Sequence, residues 1–189
     1  MLTVYIDFKS PGAHLAVPPT LSLAAELGVD LTWLPYRVSQ SPVPEIAPDE
    51  DKGQTHRRVR AAARRDTHLM YAEARDIEMR WPAQFPATDT ALSALLCELP
   101  DSSAYLQAAF HAYWVEHADL DDEHVVAALL EASRNPVSQW QALDHTAAVE
   151  THQAQALEVG VVDVPAYVVA DQVFIGREHL PWVRELLTR

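Results

Sequence analysis

Leu2-Thr3-Val4-Tyr5-Ile6-Asp7-Phe8, running straight into Lys9-Ser10-Pro11-Gly12, is the stretch on which the fold turns. Its first seven residues are rich in β-formers and stop at a turn-prone cluster, the pattern of a buried strand. Serine suits an N-cap and proline the first helical position, so a helix is expected to open at Ser10-Pro11. It should run to about Leu27, with a kink or restart at Pro18-Pro19, because Pro18 disfavours the α conformation at Val17. Gly28 is the expected helix stop. Val29 to Tyr36, with Leu31, Trp33 and Leu34 as apolar content, reads as a second strand. Strand, helix and strand at this length make a βαβ unit with a parallel pair.

Further along, Ser39 to Asp51 is a proline-rich connector. Helical spacing then dominates, over Arg57–Met70, Asp89–Leu99, Ser103–Glu116, Glu123–Ala132 and Val137–Val159, with a loop marked by Trp81-Pro82 and Phe85-Pro86. Gly160 ends the last of these helices. Val161 to Val169 is strongly β-forming and contains Val164-Pro165; Asp171-Gln172 is a turn candidate, Val173 to Ile175 a returning strand, and Glu178 to Leu187 a final amphipathic helix. The order βαβ, helical block, ββα predicts an α/β, thioredoxin-like fold split by an all-helical insertion. The expected boundaries are 1–45 for the first part, 46–150 for the insertion and 151–189 for the second part.

The bulk properties fit one domain with an inserted subdomain: 189 residues, 49% of them hydrophobic. A formal net charge of −13 argues against a nucleic-acid partner. No apolar run nears the roughly 20 residues that cross a bilayer, so no membrane partner is expected. Met1 to Ile6 reads as a strand with no basic segment and cleavage site before it, so the expectation is a cytoplasmic protein without a signal peptide. A single cysteine, Cys97, permits no internal disulfide and rules out self-reduction through a cysteine pair.

Three segments carry a resemblance that spans nearly the whole chain. Asp7-Phe8-Lys9-Ser10-Pro11, followed by Leu15-Ala16, stands in the place of a thioredoxin-type Cys-x-x-Cys. Gly160-Val161-Val162-Asp163-Val164-Pro165-Ala166-Tyr167 is similar to Gly-Val-x-Gly-Val-Pro-Thr-Phe, and Phe174-Ile175-Gly176-Arg177-Glu178-His179-Leu180 to Phe-Trp-Gly-x-Asp-Arg-Leu. Trp33-Leu34-Pro35, Phe85-Pro86 and the helix ending near Trp114 add weaker echoes. On these motifs the chain resembles the DsbA-like family of 2-hydroxychromene-2-carboxylate isomerase and the kappa-class glutathione transferases, in which a serine and glutathione replace the protein's own cysteine pair.

The resemblance implies glutathione as cofactor and a small aromatic or conjugated acid as substrate, in a homodimer. It implies that Ser10 stabilises the glutathione thiolate and that Val164-Pro165 is cis, with the Val164 backbone pairing with glutathione. It places Glu178 near the γ-glutamyl ammonium, Lys52 near the position of a glutathione-binding lysine, and Lys9, Pro11 and His14 around the substrate. Three functions stay open: a glutathione-dependent isomerase working by addition, rotation and elimination; a glutathione transferase; and a non-catalytic binding protein. The chain departs from the pattern at Gly12 and His14, which are often aromatic, and at Asp163, which replaces a glycine and sets a negative charge near the expected thiolate. No asparagine matches the family's glutathione-binding one.

The residues carry plainer readings as well. Ser10 can be an N-cap alone, and Glu178 is favourable in any first helical turn. Lys9 reads as a solvated side chain. His14 lies one turn after Ser10, but an N-cap hydroxyl faces the helix end, so His14 reads as a wall residue and not as a base. Lys52, His56, Arg57, Arg58, Arg60, Arg64 and Arg65 form a basic cluster that is either a solvated face or a wall attracting carboxylates. Glu116 to His124 lacks a metal-ligand spacing and reads as an interhelical loop with an N-cap aspartate, and Cys97 reads as an inert core residue.

Overall fold

The computed structural model describes residues 1–189. Leu2, Val4, Tyr5 and Ile6 are all buried in β1 (Leu2–Ile6), which has thus lost both faces to the core, as a central strand must. β1 pairs in parallel with β2 (Leu31–Pro35) and antiparallel with β3 (Ala166–Val169), and β3 pairs antiparallel with β4 (Gln172–Ile175), giving the order β2-β1-β3-β4. This is the thioredoxin-like sheet the sequence predicts. The register Thr3 to Val168 and Tyr5 to Ala166 joins the two ends of the chain at its centre.

α1 (Pro11–Leu27) connects β1 to β2 and ends at Gly28, whose left-handed φ of 62° lets its N–H reach Ala24 O. The expected break at Pro18-Pro19 does not occur: the helix continues through both. The prolines remove two N–H donors, but Leu15, Ala16, Val17, Thr20, Leu23 and Ala24 are buried on either side of them, and tertiary packing overrides the local preference. Thr20 Oγ1 donates to Ala16 O at 2.7 Å and lies 3.0 Å from the Tyr167 hydroxyl, tying the helix to β3.

Between β2 and β3 there is no strand, as expected. α2 (Lys52–Glu73), α3 (Asp89–Ala94), α4 (Ser102–His111), α5 (Glu123–Ala132), α6 (Ser138–Gln141) and α7 (His145–Val159) fill the interval. Side chains of Asp51, Asp101, Asp122 and Asp144 cap α2, α4, α5 and α7. The single helix expected over Val137–Val159 is two, because Asp144 accepts from Ala147 N and starts α7 afresh while Trp140 turns inward and donates to Thr90 O. The helix expected over Asp89–Leu99 stops at Ala94. That expected over Ser103–Glu116 passes from α4 into a wider π turn over Ala112–Glu116. α7 runs across residue 150, the boundary expected between insertion and second part.

The insertion is fastened to the C-terminal end of β1. Trp114 Nε1 donates to Phe8 O at 2.9 Å, and Arg37, just past β2, donates to Asp89 at 2.7 Å. After α7, Gly160 turns the chain at φ 97°, Val164-Pro165 is a cis peptide as expected, and β3 follows. Ala170 and Asp171 both have positive φ and form the two-residue turn to β4, one residue earlier than expected. A short 3₁₀ turn over Arg177–His179 precedes α8 (Leu180–Leu187), where one helix from Glu178 is expected.

Candidate functional site

Ser10 sits where β1 has ended and α1 begins, with φ −83° and ψ 116°, the extended conformation of an N-cap. Its Oγ accepts from Ala13 N at 3.2 Å and donates to Val164 O at 3.5 Å, the residue before the cis proline. The first of these bonds is an ordinary cap. The second is long enough to be given up for a better acceptor. Gly12 packs against the same junction: a β-carbon there would rest in ordinary contact with Pro165 Cδ at 3.4 Å and Val164 O at 3.7 Å.

Around this junction runs a groove with two lobes. One, of about 520 Å³, is lined by Ser10, Pro11, the 39–44 loop, Arg57, Arg64 and Trp81. The other, of about 780 Å³, is lined by Tyr71, Arg75, Pro165, Arg177, Glu178 and Leu180 among others. Gly12, His68, Asp163 and Val164 line both and form the waist between them. Arg57, Arg64, Arg75 and Arg177 have no carboxylate within ion-pair distance. Arg177 stacks over the Tyr71 ring at 4.4 Å, with Arg75 at 5.6 Å from the same ring. Burial and the nearby Arg75 charge push the Arg177 guanidinium below its ordinary pKa. Four guanidiniums without carboxylate partners set positive charge along this groove in a chain of net charge −13.

Ser10, Pro11, Val164, Pro165 and Glu178 are thus brought to one groove, and three other candidates are not. Lys9 is not solvated: its side chain is buried with Nζ 3.6 Å from Asp7 Oδ2, and it does not line the groove. Asp7 is wholly buried and accepts from Val38 N, Lys9 N and Thr88 Oγ1. Burial raises the Asp7 pKa, while the Lys9 charge and these three bonds act to lower it. His14 turns away from Ser10 as the wall-residue reading has it, and it does not line the groove. Its Nε2 donates to Glu78 O at 3.1 Å and its ring stacks on Trp114. Lys52 is exposed in the first turn of α2, outside the groove. The groove face of α2 carries Arg57, Ala61, Arg64 and His68, and five residues before Arg57 is about 140° round a helix of 3.6 residues per turn.

Of the basic cluster, only Arg57 and Arg64 form the wall; Arg58 pairs with Glu50 and Arg65 with Asp66. Asp163 stands at the waist, and its Oδ1 accepts from Val164 N at 2.8 Å. Sequence reading misses His68, Tyr71, Arg75 and Arg177. The spacing Arg57, Ala61, Arg64, His68 is a helical stripe, the one signal that could have found the first of them.

Residues 1–188 match the family model of the DSBA-like thioredoxin domain. The chain is 25% identical over 197 residues to 2-hydroxychromene-2-carboxylate isomerase from Sphingobium xenophagum, covering 97% of this chain and 95% of that one. A solved 2-hydroxychromene-2-carboxylate isomerase superposes with a TM-score of 0.77 at 19% identity, over 100% of this chain and 94% of its own. The cytosolic disulfide reductase DsbM from Pseudomonas aeruginosa, solved with GSH, gives a TM-score of 0.61 at 16% identity, over 99% and 95% of the two chains.

Proposed function

The chain belongs to the DSBA-like thioredoxin domain family, and on that premise we propose that it is a glutathione-dependent isomerase acting on a small conjugated or aromatic acid. The observation that carries the reading is Ser10 Oγ, held beside the waist of an arginine-lined groove, 3.5 Å from Val164 O. The relative named as an isomerase and the neighbour solved with GSH point the same way. A cytoplasmic setting goes with a lone cysteine and a borrowed thiol.

The residues present fit glutathione. Its two carboxylates suit guanidiniums, which bind carboxylates in a bidentate manner. Arg75 and Arg177 offer two guanidiniums in the lobe that also holds Glu178. The Glu178 carboxylate suits the ammonium, and Val164 O an amide N–H. Bound glutathione supplies the thiol whose ionised form adds to, and leaves, a conjugated double bond. The protein's share is orientation and charge. In the first turn of α1 the Gly12 N–H is the one left open to an anion, since Pro11 has none and Ala13 N and His14 N are taken by Ser10. Ser10 turns its hydroxyl from Val164 O to the sulfur, a charge-assisted bond worth about 1.5–3 kcal/mol. In the lobe holding Ser10, Arg57 and Arg64 fix the carboxylate of the substrate. Transfer of the thiol to an electrophile would use the same groups.

The test is titration of the bound thiol, followed by thiolate absorbance near about 240 nm against pH. Ser10→Ala should leave glutathione affinity nearly unchanged and raise the midpoint by about one to two units. An unchanged midpoint removes Ser10 from the mechanism. One observation favours a second reading, a binding protein without catalysis: Asp163 already occupies Val164 N–H. Failure of reduced glutathione to bind would select it.

A further inference from the structure

Nothing in the reading above uses His68, although it is the one imidazole in the groove and lines both lobes. Its Nδ1 lies 2.7 Å from Arg64 O, and a carbonyl only accepts, so Nδ1 carries the hydrogen. Nε2 is then a bare lone pair, and none of the protein's hydrogen bonds uses it. The ring also packs at 6.2 Å from Trp81, which limits its freedom.

We propose that His68 is the base that takes the thiol proton in this groove, so that a glutathione thiolate and a His68 imidazolium form together. The proposal rests on the glutathione reading and adds to it the group that ionises the thiol. Chemically, the S–H bond breaks and an N–H bond forms at Nε2; nothing is oxidised. The proton returns to sulfur when glutathione leaves as the thiol.

The charges around His68 support this pairing. α2 supplies Arg57, Arg64, Tyr71 and Arg75; the turn before α8 supplies Arg177 and Glu178; the segment before β3 supplies Asp163. The start of α1 and the 39–44 loop bring no titratable side chain to the groove. Burial and the Arg177 and Arg64 charges outweigh the bond to Arg64 O and push the His68 pKa down. The resting imidazole is therefore neutral at neutral pH, the state that can accept a proton. A thiolate formed beside it favours the imidazolium, as an opposite charge does. Asp163 opposes a lone thiolate but favours the imidazolium. The pair therefore tolerates an acidic residue at the waist that a lone thiolate would not, and the arginines that disfavour the imidazolium favour the sulfur anion. This is the logic of a nucleophile activated by an adjacent base.

Proton bookkeeping on binding tests the assignment. Reduced glutathione is titrated calorimetrically at neutral pH in two buffers of different ionisation enthalpy, with thiolate absorbance read in parallel. The native protein should show thiolate absorbance with no proton given to the buffer. His68→Asn keeps the donor to Arg64 O, and His68→Gln keeps a polar group near Nε2. Both should lose most of the thiolate signal at neutral pH, and the bound thiol's midpoint should rise by about one unit or more. In the native protein, the His68 ring followed by NMR should titrate below the usual histidine range alone and above it with glutathione. Release of a full proton per thiolate, unchanged in both variants, would overturn the proposal while leaving the glutathione site intact. Absence of glutathione binding to the native protein would overturn both, and that result differs visibly from the first. Unchanged circular dichroism of the variants shows that they fold.

Discussion

Buried polar residues separate what the chain reveals from what only its folding reveals. Ser10 is legible in the sequence as an N-cap, local backbone chemistry with fixed neighbours, whereas the cis Val164-Pro165 bond is legible only through the family motif around it, since an X-Pro bond by itself favours trans. Asp7 and Lys9 are not: a charged residue at a strand's end looks solvated until Val38, Thr88 and the insertion close over it. His68 and Arg177 reach the groove from α2 and from the turn before α8, far apart in the chain, which no local spacing reports. His14 is the residue whose burial has a measurable consequence. Burial and the His111 charge lower its pKa against the bond to Glu78 O. A depressed histidine holds its stabilising share above its unfolded pKa of about 6.5, and loses it as pH falls through the folded value. His152, also lowered by burial, acts in the same sense. The melting temperature should therefore drop between about pH 7 and pH 5, and drop less in His14→Gln, which keeps a donor for Glu78 O but cannot titrate. An equal drop in both proteins would show that His14 is not responsible.

At the level of elements, boundaries were readable where a cap marks them and obscure where burial sets them. Gly28 and Gly160 end helices as expected, and α5 spans its expected residues. Asp144 restarts a helix inside a run whose apolar spacing gives no sign of a break, and the core carries α1 through two prolines. α2 matters most for function, since one of its faces supplies Arg57, Arg64 and His68 to the groove. It makes little core of its own, only Ala72 being buried, and so depends on its start. There Asp51 accepts from Gln54 N at 2.7 Å and Gln54 Oε1 accepts from Asp51 N at 2.8 Å, a complete capping box. Asp51→Ala should cost about 1 kcal/mol. Hydrogen exchange should quicken in the first turns of α2 while the amides of α1 keep their protection. Equal protection throughout would mean that the cap is redundant.

Across the whole molecule, a strongly acidic body holds a groove lined by unpaired arginines. Free carboxylates are repelled elsewhere and drawn there. Affinity for reduced glutathione should fall several-fold as ionic strength rises from about 0.05 to 0.5 M, since the screening length shrinks below the groove's dimensions. Titration at several salt concentrations measures this, and a flat response would remove the arginines from recognition. The placing of the sheet's centre has a different consequence, in time. Thr3 pairs with Val168, so β1 waits for almost the entire chain before its second edge is covered. At about 5–20 residues per second, the intervening ~160 residues take roughly 8–30 s to emerge from the ribosome. The helices of the insertion, whose contacts are local, can form during that interval. The nascent chain meanwhile displays an open, apolar strand edge of the kind that recruits other strands. Ser10 meets Val164 only when synthesis is almost over, so a truncated product carries the exposed edge and no site at all.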